Sequence, residues 1–169
     1  MNRLRVIVIV LFLFLSAGYA QGGSWYSPLT TVVKTTGLAV ISVAPDDTTP
    51  EAMKVTADIP VGAADDRWIL IGLPAGGQKN MKALEICYQI TATTEALTYI
   101  DTVKLTKMTT PDTPSDLFEY TTDLNSADPV CQRLDTNPKK LSGAVTLKLK
   151  VVLGHQDDSI KIGGIRLVF

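Results

Sequence analysis

Two cysteines, one histidine and a few paired aspartates are the residues here whose types and spacing could do chemistry. Cys87 lies in "ALEICYQIT" and Cys131 in "DPVCQRL". They lack the C-x-x-C spacing of a redox pair and have no histidine near them in sequence. An even cysteine count behind an export signal instead predicts a structural disulfide, Cys87 to Cys131. Closing so long a loop would stabilise the fold by about 4 kcal/mol in the chain-entropy model. Cys131 falls in a segment rich in proline and small polar residues. The bridge is therefore expected to tie a long loop over the outer face of a sheet.

The other chemical groups are sparser. His155, in "LGHQDDS", would need a nucleophile and an orienting acid for triad chemistry, and no G-x-S-x-G elbow supplies the nucleophile. A hairpin-turn histidine facing solvent is the simpler expectation. Zinc ligands at local spacings are missing. Calcium takes oxygen ligands, which makes Asp157 and Asp158 weak candidates, with Asp46-Asp47 and Asp65-Asp66 as further acidic pairs. None sits in a D-x-D-x-D-G loop, and adjacent aspartates commonly form turns. "GGQKN", residues 76–80, lacks the Lys-Ser/Thr end of a phosphate-binding loop. The sequence thus predicts no catalytic residue and no cofactor. Trp25 and Tyr26 are the candidates for a ligand or interface contact, since adjacent aromatics can stack on sugar rings or anchor a partner. On a strand, one ring would pack on the core while the other faces out.

The elements that position these groups read as strands. The chain from Gln21 onward is rich in Thr and Val, which suit a pleated surface. Period-two alternation marks 37–45, 51–59, 67–74, 82–93, 98–108, 144–153 and 159–169. In 83–91, Leu84, Ile86, Tyr88 and Ile90 face one way while Glu85, Cys87 and Gln89 face the other. In 159–169 the apolar positions change from even (Ile160, Ile162) to odd (Ile165, Leu167, Phe169) across Gly163-Gly164. One extra residue produces that change, so a β-bulge is predicted there. Residues 74–80 read as a loop. So does most of 109–142, with its four prolines, interrupted by a short strand at "LFEYTT". Without helices to serve as crossovers, the strands must pair mostly antiparallel. The fold class is all-β, an antiparallel two-sheet β-sandwich of jelly-roll type with one disulfide.

The ends and the charge bound the function. "MNRLR", the apolar "VIVIVLFLFL" and the small-residue "SAGYA" form a secretory signal peptide over 1–20, cleaved after Ala20. Residues 21–36 form an N-terminal arm or first strand, which could also be donated to a neighbour's sheet edge, and 37–169 form the sandwich. Removing Arg3 and Arg5 from 16 basic residues, set against 17 acidic ones, leaves the mature chain acidic with scattered charges. Nucleic-acid binding is therefore not expected, and the membrane is met only through the signal peptide. The reading is a secreted, periplasmic or cell-surface, non-catalytic module for binding or assembly, self-associating or meeting a protein or glycan partner. The alternatives are an eight-stranded outer-membrane barrel and a small secreted hydrolase.

Overall fold

A computed structural model describes residues 23–28, 33–35, 41–62, 67–93, 97–110 and 113–169. The predicted signal peptide and its cleavage site lie outside the described residues. The strands are β1 (Gly23–Tyr26), β2 (Val33–Thr35), β3 (Ile41–Pro45), β4 (Met53–Ala57), β5 (Trp68–Thr91), β6 (Tyr99–Thr110), β7 (Thr113–Tyr120), β8 (Val130–Val152) and β9 (Ser159–Val168). Every pairing between them is antiparallel. The main path runs β3-β4-β9-β5-β8-β6-β7, with β1 on β9 and β2 on β5. The arm residues of β1 and β2 thus pair with the chain's own strands.

Two long strands turn this path into a sandwich. The first half of β5 pairs with β2 and the second half of β8, and β8 continues to β6. The second half of β5 pairs with β9 and the first half of β8. β5 and β8 therefore pass from one layer to the other, as strands do at the corner of a folded sheet. The buried set records the crossing. On β5 it changes from Ile69, Ile71 and Leu73 to Leu84, Ile86, Tyr88 and Ile90. On β8 it changes from Leu134 to Leu141, Val145, Leu147, Leu149 and Val151. The β5–β8 register is irregular between Ala75 and Lys79 and again between Met81 and Ala83. Gly143, opposite Ala75, has φ 76°, a left-handed conformation that glycine adopts without steric cost. Both layers feed one apolar core, where each fully buried Leu or Ile contributes about 1.5–3 kcal/mol.

Three expectations need correction. Residues 74–80 are the corner of β5, not a loop: pairing with β8 resumes at Lys79, carrying the strand through. The stretch 109–142 is mostly strand as well, divided between β7 and the first part of β8. Its alternation was hidden because Leu134 and Leu141, seven residues apart, are the only fully buried apolar side chains on that part of β8. The barrel reading fails because the apolar residues face inward to a packed core and β3 and β7 end the path unclosed. A membrane barrel turns its apolar side chains outward and closes on itself.

Candidate functional site

The disulfide Cys87–Cys131 is present, but its setting differs from the expected one. Cys131 belongs to β8 and sits directly opposite Cys87 on β5. The bridge is therefore a cross-strand rung lying in the sheet, and no loop is drawn across the outer face by it. On its other side Cys87 pairs with Gly164 of β9, while Tyr88 pairs with Ile162. Gly163 is the extra, unpaired residue, so the bulge stands where the parity change predicted it.

The register lines up the outward side chains of this layer in rows. Trp25 of β1 pairs with Arg166 of β9, Arg166 with Glu85 of β5, and Glu85 with Arg133 of β8. Trp25 is 53% exposed. The Arg166 guanidinium lies 5.4 Å from its ring centroid, within cation–π range, and Arg166 Nη1 is 3.5 Å from Glu85 Oε2. Arg133 Nε is 2.8 Å from Asp135 Oδ1. Two glycines make room for this arrangement. A Cβ on Gly164 would stand 3.3 Å from the Trp25 ring, and one on Gly23 would stand 2.7 Å from Arg166 Nε. Tyr26 turns the other way, packs against the core, and donates its hydroxyl hydrogen to the Pro74 carbonyl at 2.8 Å. The two aromatics thus divide between the surface and the interior.

Beside the tryptophan the face is concave. Cys87, Cys131, Gly163, Val130, Gln89 and Lys161 line an open depression of about 200 Å³. Its floor is the disulfide and the glycine bulge, and its rim carries an amide and an ammonium. Gln89 Nε2 donates to the Ala127 carbonyl at 3.2 Å, and Lys161 Nζ lies 2.9 Å from Asp46 Oδ1. Gln89 also borders a wider, more polar hollow of about 510 Å³ with Asn125 and Ala127. This face offers an aromatic plane, an apolar floor and hydrogen-bonding groups at the rim. Among the described residues, no nucleophile stands beside a base on it.

The aspartates work as turn locks. Asp158 is buried and accepts from Thr93 N (2.7 Å), Thr93 Oγ1 (3.0 Å), His155 N (3.0 Å) and the Thr98 hydroxyl. Burial alone would raise its pKa, but these donors together outweigh it and hold the carboxyl below its ordinary value. Its oxygens are committed to protein donors. Asp157 and His155 are exposed on the same turn, where the Asp157 amide donates to His155 Nδ1 at 3.2 Å. Asp46 accepts from Thr48 Oγ1 (2.6 Å), Thr48 N (3.1 Å) and Thr49 N (2.8 Å). The Thr48 hydroxyl, then the Lys161 ammonium, hold its carboxyl well below the usual range. Asp65-Asp66 lies outside the described residues. Among the described residues, no group of three or more His, Cys, Asp or Glu side chains could hold a metal ion.

Asp158 immediately precedes β9 while Trp25 pairs near its far end, so the calcium candidates and the aromatic pair occupy separate places. Glu85, Gln89, Lys161 and Arg166 were not singled out from the sequence. The signal that could have found them is the same alternation, read for its outward positions and aligned through the bulge.

No protein-family model matches the chain, and no curated protein matches it significantly. Solved structures do resemble it. TmCBM61 in complex with β-1,4-galactotriose aligns with a TM-score of 0.52 at 10% identity, over 81% of this chain and 88% of that one. A family 6 carbohydrate-binding module gives 0.48 at 10% identity, over 84% and 90%. The carbohydrate-binding module CBM36, in complex with calcium and xylotriose, gives 0.44 at 13% identity, over 84% and 97%. At these identities the likeness concerns the fold: this chain is similar in architecture to a β-sandwich of that kind.

Proposed function

We propose that this chain is an exported, non-catalytic β-sandwich module that binds a glycan through the outer face carrying Trp25. The observation that carries the reading is a half-exposed indole fixed on a strand beside a depression with polar rim groups. A sugar ring presents an apolar C–H face and a ring of hydroxyls. The indole suits the first, and Gln89, Lys161, Arg166 and Glu85 suit the second. The disulfide supports export, because such bridges persist in oxidising compartments. The architecture shared with TmCBM61, solved with β-1,4-galactotriose, makes a neutral β-linked oligosaccharide a sensible first probe.

The test is a panel of soluble oligosaccharides titrated calorimetrically into the mature protein and its Trp25→Ala variant. Loss of the indole should weaken binding by about 10- to 100-fold, the range expected for an interface aromatic anchor. Unfolding temperature should stay nearly unchanged, because the ring is on the surface. Equal affinity in both proteins would contradict the assignment. So would concentration-dependent self-association that Trp25→Ala abolishes while no glycan binds.

A further inference from the structure

Charges that look scattered along the sequence are gathered by the corner of the two long strands. From Arg67 to Leu84, and again from Thr136 to Gln156, the chain has no acidic residue. β5 and β8 bring parts of these stretches together, pairing Lys79 with Leu141, Asn80 with Lys140 and Met81 with Lys139. Lys79, Lys82, Lys139 and Lys140 are all exposed. Strand spacing and residue rise set their backbones within a patch about 10 Å across. The nearest acids along the strands are already engaged, Glu85 with Arg166 and Asp135 with Arg133. Among the described residues, none of the four lysines forms an ion pair. Lys79 is held over the Phe169 ring, 5.1 Å from its centroid, a contact that leaves its charge in place.

We infer that this corner is a binding site for an acidic polysaccharide, one carrying carboxylate or sulfate groups along its chain. Four lysines gathered at one corner, none of them in an ion pair among the described residues, complement a polymer that presents an anion at successive sugars. An anionic membrane is the poorer complement, because stable docking there also needs an apolar wedge. Among the described residues, the exposed large apolar side chains are Trp25, Ile59, Leu97 and Met108, and none belongs to the corner. The site is separate from the Trp25 face and stands whether or not that face binds sugar.

The experiment measures binding of the mature protein to polygalacturonate, dextran sulfate, neutral dextran and phosphatidylserine vesicles. Binding to at least one of the two charged polysaccharides is expected, with none to dextran. The two polyanions separate carboxylate from sulfate preference. If four contacts release counterions as on a single-stranded polyanion, affinity should fall about 50-fold between roughly 50 and 200 mM salt. Replacing all four lysines by glutamine should abolish binding without shifting the unfolding temperature, and Trp25→Ala should leave it intact. Should the quadruple variant not fold, Lys139→Gln with Lys140→Gln is expected to reduce the salt dependence by about half. Undiminished binding by the variants, preference for vesicles over both polyanions, or no binding at low salt would each overturn the inference.

Discussion

The two layers of the sandwich bury equivalent apolar faces and present different outer ones. On the β6–β7–β8 side several charges are paired with one another. Lys104 Nζ lies 2.8 Å from Asp116 Oδ2 and 3.8 Å from Glu119 Oε2, and Lys150 Nζ lies 3.5 Å from Asp101 Oδ2. The Asp116 hydrogen bond, against some burial, pushes the Lys104 ammonium above its ordinary pKa. On the β1–β9–β5–β8 side two glycines, an exposed indole and an in-sheet disulfide replace ordinary outward side chains. The first surface pairs much of its own charge. The second leaves an aromatic plane and a hollow facing solvent, and the proposed binding face rests on that contrast.

The largest effect should come from the rung under the hollow. Replacing Cys87 and Cys131 together by alanine should lower stability by about 2–4 kcal/mol, measured by denaturant unfolding against the oxidised protein. The pair spans a sequence separation of 44 residues, so the unlinked chain gains considerable freedom when unfolded. A change under about 0.5 kcal/mol would show that the ladder holds this part of the sheet without the bridge.

A smaller loss, about 2–3 kcal/mol, is expected for Asp158→Ala, which leaves buried donors without an acceptor. Because the folded-state pKa of Asp158 is depressed, its contribution is fully present above the unfolded value near 3.8. It is lost as pH falls from there through the folded value. The wild type should therefore lose stability more steeply below about pH 4 than the variant does. Parallel stability curves through that range would remove Asp158 from the account of acid unfolding.

Much of the fold was legible because alternation survives wherever a strand packs on the core. Val145, Leu147, Leu149, Val151 and Leu153 are all buried, as their spacing predicts. So are Ile160, Ile162, Ile165 and Leu167, on either side of the bulge. The cysteine pairing was legible from the even number and the compartment expected from the N-terminal pattern. The position of Cys131 was not, because the polar residues around it look like a loop when their partner strand is unknown. Ile59 continues the β4 alternation yet is 55% exposed, since the strand stops at Ala57. The rows through Trp25, Arg166 and Glu85, and the lysine corner, depend on register, which one strand read alone does not contain.

The most direct test of the proposed binding face is a backbone amide NMR titration of residues 21–169 with whichever oligosaccharide binds. Perturbations should concentrate at Trp25, Glu85 to Gln89, Val130 to Arg133 and Lys161 to Arg166, with β6 and β7 silent. Shifts centred on Lys104, Asp116 and Glu119, with the Trp25 face unmoved, would contradict the account.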